Sequence, residues 1–167
     1  MPDDGPAFKD VWNAAKDVAT IMQNGESQHM PNAGFAVPAN HQPSELDWAE
    51  EHELSLQVAK TWGSIATDWG LSSGTKLRIG TTWRYGGRLK GEGRFLHEAR
   101  LWAILDHSGL GQNFDVHAAW GDPYLRGNTG VLVGQVTVQM TYAKLHWTDI
   151  HFDVEVTGAG GGYIREV

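Results

Sequence analysis

Lys76, Arg78, Arg84, Arg88, Lys90, Arg94 and Arg100 crowd into residues 76–100, more than half of the 13 Lys and Arg in a chain of formal net charge −7. Trp83 and Tyr85 are interleaved with them around Gly86-Gly87. Cationic side chains beside aromatic rings can hold an anion such as a phosphate or a lipid headgroup. The competing use of the same charges is pairing with the acidic stretch Glu45, Asp47, Glu50, Glu51 and Glu53, since surface charge runs are usually solvated or paired. A second constellation is His151, Asp153 and Glu155, with Asp115 and His117 repeating the spacing elsewhere. Alternate residues of one strand stand about 7 Å apart at Cα, near enough to co-ligate a metal. An ordinary solvated polar face accounts for the same pattern, and no third and fourth ligand can be named. No metal and no cofactor is assigned.

Other chemical letters do not assemble. Asp106-His107-Ser108 are adjacent and cannot form a triad, and there is no Gly-x-Ser-x-Gly elbow. The Gly70–Lys76 stretch lacks the order and spacing of a phosphate-binding loop. Gly158–Gly162 follows a strand with no helix after it, so a dinucleotide fingerprint fails too. Trp83, Trp102, Trp120 and Trp147 fall in or at the ends of expected strands. Core packing is the first use of such residues. Trp120 and Trp147, beside loops, could instead form a platform for a sugar ring or a lipid interface.

The elements that must position these residues are mostly strands. Val136, Val138, Met140 and Tyr142 alternate with polar residues, as do Ile150, Phe152, Val154 and Val156. Strict period two is the mark of a half-buried strand, and Lys144–Thr148 is short enough to join the two as a hairpin. Further strands are expected at 53–62, 76–85 and 113–120, with Arg94–Leu105 following a tight turn at Gly86-Gly87. Residues 44–51 read as an acidic turn or short helix, 124–130 as a loop, and 158–162 as the fraying end of the last strand. Residues 7–23 read as an amphipathic helix, because Phe8, Val11, Trp12, Ala15, Val18, Ala19 and Met22 recur at three- and four-residue steps. Residues 26–43, with three prolines, read as an arm in which Phe35 and Val37 could pair as an edge strand.

The chain of 167 residues suits one core, divided here into a helix-and-arm segment 1–43 and an antiparallel β domain 44–167. It has no cysteine, which rules out disulfides and thiolate metal sites. Its negative charge argues against nonspecific nucleic-acid binding. No apolar run is long enough to span a bilayer, and Met1–Gly5 is too polar for a secretory leader. A soluble protein of unspecified compartment is expected.

Lys60-Thr61-Trp62-Gly63-Ser64-Ile65-Ala66-Thr67-Asp68-Trp69, with Ser73-Gly74-Thr75, is similar to the Lys-Thr-Trp strand and Ser-Gly-Thr loop of the actinoporins. Trp120-Gly121-Asp122-Pro123-Tyr124 resembles, in altered order, that family's Pro-aromatic-Asp turn. The resemblance covers about a fifth of the chain. It implies a cysteine-free cytolysin, with an amphipathic N-terminal helix ahead of a β-sandwich. Two features depart from the family: Gly127–Gln139 lacks its dense Trp/Tyr cluster for phosphocholine, and this chain is acidic where members are mostly basic.

The expected fold is therefore mainly β, an antiparallel β-sandwich or barrel with one N-terminal amphipathic helix. The expected function is non-enzymatic binding to a membrane or glycan surface, with homo-oligomers forming there. Trp83, Arg84, Tyr85, Arg88, Trp120 and Tyr124 would bind the headgroup or glycan, and Phe8, Val11 and Trp12 would form the helix face. The alternatives are a self-assembling filament or shell subunit, and a metal-dependent enzyme gathering His97, His117 or His151 with Asp115 or Asp153.

Overall fold

The computed structural model describes residues 11–12, 18–22, 27–29, 33–62, 75–107, 112–142 and 145–167. Among them twelve strands build a mainly β fold, a nearly closed barrel-like sheet. Its long members are β5 (His52–Trp62), β6 (Thr75–Leu89), β7 (Glu92–His107), β8 (Gln112–Trp120), β10 (Thr129–Tyr142) and β11 (Leu145–Thr157). One run pairs β5, β6 and β7; the other pairs β8, β10, β11 and β12 (Gly162–Glu166). A parallel bridge, Thr129 to Arg94, joins β10 to β7. No helix among the described residues is long and apolar enough to cross a membrane, which leaves crossing by strands unaddressed.

The alternation that identifies the strands also builds the core. Val136, Val138 and Met140 of β10 face inward with Ile150, Phe152, Val154 and Val156 of β11, all buried. They meet Leu77, Ile79 and Trp83 of β6 and Leu101, Ala103 and Leu105 of β7 in one apolar cluster. Burial of such side chains at about 1.5–3 kcal/mol each is what holds the two runs together.

The β6–β7 hairpin turns at Lys90-Gly91, not at the expected Gly86-Gly87. Leu89 pairs with Glu92, and both loop residues take positive φ, 52° and 76°. A two-residue loop of that handedness matches strand twist. Gly86 has a positive φ as expected, at 96°, but inside β6. Both glycines are needed there for close approach: a Cβ at Gly86 would lie 2.8 Å from the Glu50 carbonyl, and one at Gly87 2.4 Å from the Trp48 ring.

The N-terminal part also differs from expectation. Within the helix expected over 7–23, the described residues are strands: β1 (Val11–Trp12) and β2 (Val18–Met22), while Phe8 and the other positions lie outside the described residues. Val11, Val18, Thr20 and Ile21 are β-branched, stiff in a helix and suited to a pleat, and β2 finds a partner in β8. In the arm, β3 (Ser27–His29) and β4 (Gly34–Pro38) both pair with β7, and β1 covers the other side of β4. Phe35 and Val37 thus do lie in a strand, though not one left open at an edge. Ala36 and Val37 are fully buried, Val37 with Leu46 and Phe95 in a second small cluster.

Near residue 44 a single 3₁₀ turn, Pro43–Glu45, precedes β5. The expected loop 124–130 is a small hairpin from β9 (Tyr124–Arg126) into β10, and Gly158–Gly162 leads into β12, which sequence reading had not anticipated. β5 and β12 face each other with no backbone ladder between them. Two hydrogen bonds donated by Lys60 Nζ to the Glu166 carboxylate, 2.9 and 2.8 Å, span that seam, and Gly162 lets β12 settle against Leu56 and Trp83.

Candidate binding sites

The outward side chains of β8, β10, β11 and β12 fall into rows set by the register. His117, Thr137 and His151 form one row; Ala119, Gln135, Asp153 and Arg165 the next; Val133, Glu155 and Tyr163 the third. A groove of about 520 Å³ runs over the last two rows, lined by Ala119, Gly121, Val133, Gln135, Asp153 and Tyr163. Gly134 and Trp120 border it as well; the missing side chain of Gly134 faces inward, where a Cβ would meet the Trp120 ring at 2.7 Å. Tyr163 is 38% exposed at the wall, and the Arg165 guanidinium lies 5.1 Å from its ring centroid. Asp153 accepts from Gln135 Nε2 at 3.3 Å and stands 4.0 Å from Arg165. A ring, an apolar strip and amide, carboxylate and guanidinium groups thus share one surface.

Beside the groove, Arg126 grips the buried Glu155 with two bonds of 2.9 and 3.1 Å and donates to the Tyr124 hydroxyl at 2.8 Å. Tyr124 is the one expected ligand-binding aromatic that is exposed.

Arg84 and Arg88 of the cationic run pair with the acidic stretch, as the pairing alternative requires. Arg84 donates to Glu51 at 2.9 Å and lies 3.3 and 3.1 Å from Glu53 and Glu98. His97 Nε2 bonds the other Glu51 oxygen at 3.0 Å, and its ring stacks on Trp48 at 3.6 Å and 9°. The bond with His97, then Arg84, holds the Glu51 carboxyl below its ordinary value, against burial acting in the opposite sense. Arg78 pairs with Asp106 through two bonds of 2.8 Å. Arg84, wrapped by three carboxylates, is poorly placed to receive an external anion.

The six expected ligand residues do not form one site. Trp83 is fully buried, its Nε1 donating to the Thr157 carbonyl at 3.1 Å, and Trp120 is buried as well. Both belong to the core. Arg84 sits in the acidic network. Tyr85 and Arg88 line a separate cleft of about 450 Å³ with His52, Arg94 and Gly158. Val11 and Trp12 pair with Pro38 and Val37 in β1, and Trp147 lies in β11.

His151, Asp153 and Glu155 share the outer face, but Glu155 is committed to Arg126 and His151 to Thr137. Among the described residues no group of three or more His, Asp or Glu could hold a metal ion. Tyr163, Gln135 and Arg165 were missed as site residues. The available signal was the Gly162-Tyr163-Ile164-Arg165 alternation after the glycines. Comparison with protein-family models, curated proteins and solved structures gave no match to this chain.

Proposed function

We propose that the protein is a non-enzymatic glycan-binding protein whose site is the outer groove of β8, β10, β11 and β12. The observation that carries this reading is the exposed Tyr163 ring facing the same open groove as Asp153 and Gln135. A pyranose presents an apolar C–H face to a ring and a fringe of hydroxyls that both donate and accept. Tyr163 offers the stacking surface, Asp153 the acceptor, and Gln135 and Arg165 the donors. The antiparallel scaffold, sandwich or barrel, would keep these groups in register on rigid strands, which suits a preformed site. Weak single-site affinity is expected, so multivalent display on a homo-oligomer would raise avidity.

The test is a glycan array followed by calorimetry with the best binder. Y163A and D153N should each weaken binding about tenfold, near what one stacked ring or one charge-assisted hydrogen bond contributes. Mixed-lipid vesicles with and without sphingolipid form the comparison arm, because the actinoporin resemblance points to a lipid headgroup. Silence on the array with sedimentation on vesicles would overturn the glycan reading in favour of the headgroup.

A further inference from the structure

The cleft that gathers Tyr85 and Arg88 has a composition the groove lacks. It lies between the β6 bulge and the β11–β12 turn, lined by His52, Tyr85, Arg88, Arg94, Glu50 and Gly158. Its walls are held by backbone bonds: Gly86 N–H donates to Gly158 O at 3.1 Å, and Gly158 N–H to Gly130 O at 2.9 Å. Gly158 approaches so closely that a Cβ there would meet the Arg94 carbonyl oxygen at 2.2 Å. The position of Arg94 is therefore fixed by the main chain, which also bonds Asn128 O through the Arg94 N–H.

Most other arginines here are engaged, whereas these two are underused. The Arg94 side chain is exposed and makes no ion pair among the described residues. Among the described residues the Arg88 side chain has one ion partner, Glu50 at 3.7 Å, and Glu50 is 77% exposed, free to swing into solvent. Glu51, the other carboxylate of the cleft, is turned to Arg84 and His97. Beside the two guanidinium groups stand the Tyr85 and His52 rings, with centroids 5.6 Å apart.

We propose that this cleft binds a tetrahedral oxyanion, a phosphate or sulfate group, gripped by Arg88 and Arg94 and flanked by Tyr85 and His52. Guanidinium forks match such oxygens through paired donors, and the incoming group displaces Glu50 from Arg88. The site is independent of the glycan groove.

The experiment is an amide NMR titration of the full chain with sodium phosphate and with sodium sulfate, at constant ionic strength against chloride. Saturable shifts at Gly86, Gly158 and Ala159 are expected, with affinity lowered about tenfold in R94Q and in R88Q and partly kept in R94K. Spectra unchanged elsewhere verify that each variant folds. Sedimentation on vesicles containing phosphatidylserine, lost in both Gln variants, would assign the phosphate to lipid; binding of the inorganic ions alone would assign it to a free ion. A response identical to chloride, or one that R94Q leaves intact, overturns the proposal.

Discussion

Glu51 shows how much one residue can carry. It ties β6 to β7 through Arg84 and His97, and its carboxyl is depressed in the folded state by those partners, His97 first. A depressed carboxyl contributes stability that is complete above its unfolded value and is lost as pH falls through the folded one. E51Q should therefore lower the unfolding free energy by about 1 kcal/mol at neutral pH, with the gap closing through the acid range. Urea titrations of both proteins at neutral and strongly acid pH check this. A gap that persisted in acid would point to packing rather than charge. Trp83 teaches the complementary lesson. The alternation that reveals β6 already sets Trp83 in line with Leu77 and Ile79 on the core side. A ligand role for it conflicted with its own strand, whereas Arg84 and Tyr85 needed the structure to show their neighbours.

At the scale of elements, legibility followed the locality of the signal. The strands at 53–62, 76–85, 113–120 and in the C-terminal hairpin carry long period-two patterns, and each is present. β1, β3, β4, β9 and β12 are two to five residues long, so any alternation in them is brief and weak beside that of the long strands. β1, β3 and β4 depend besides on partners far along the chain. The β6–β7 turn was misplaced because two glycines outweighed Lys90-Gly91 in the sequence, although the glycines serve close approach. Lys90 holds φ 52°, a region that costs a residue with a Cβ about 1 kcal/mol. K90N, which creates the Asn-Gly pair favoured in such loops, should raise stability by about 0.5–1 kcal/mol. Thermal melts of the two proteins decide it, and a loss of stability would mean that the loop has another geometry in solution.

For the whole molecule, the seam between β5 and β12 is the weakest line. Lys60 and Glu166 span it, but both are partly exposed, and such pairs contribute under about 1 kcal/mol. β12 is short, polar on its outer side and hydrogen-bonded on one edge only. Native-state hydrogen exchange should show β12 amides opening well before those of β10, which is paired on both sides. Equal protection would mean that the sheet closes through the seam. Because Tyr163 and Arg165 ride on β12, the groove would then inherit the mobility or the rigidity of that strand.

The pairing of β4 with β7 also bears on time. Residues 34–38 leave a ribosome long before residues 96–99 that receive them, and β2 must wait longer still for β8. The β6–β7 and β10–β11 hairpins can close locally, while β2, and the edge of β4 that meets β7, stay unpaired until β8 and β7 exist. Such distant closures slow folding and expose strand edges in the interval. β2 and β4, made well before the strands that receive them, are therefore among the last described elements to find their place.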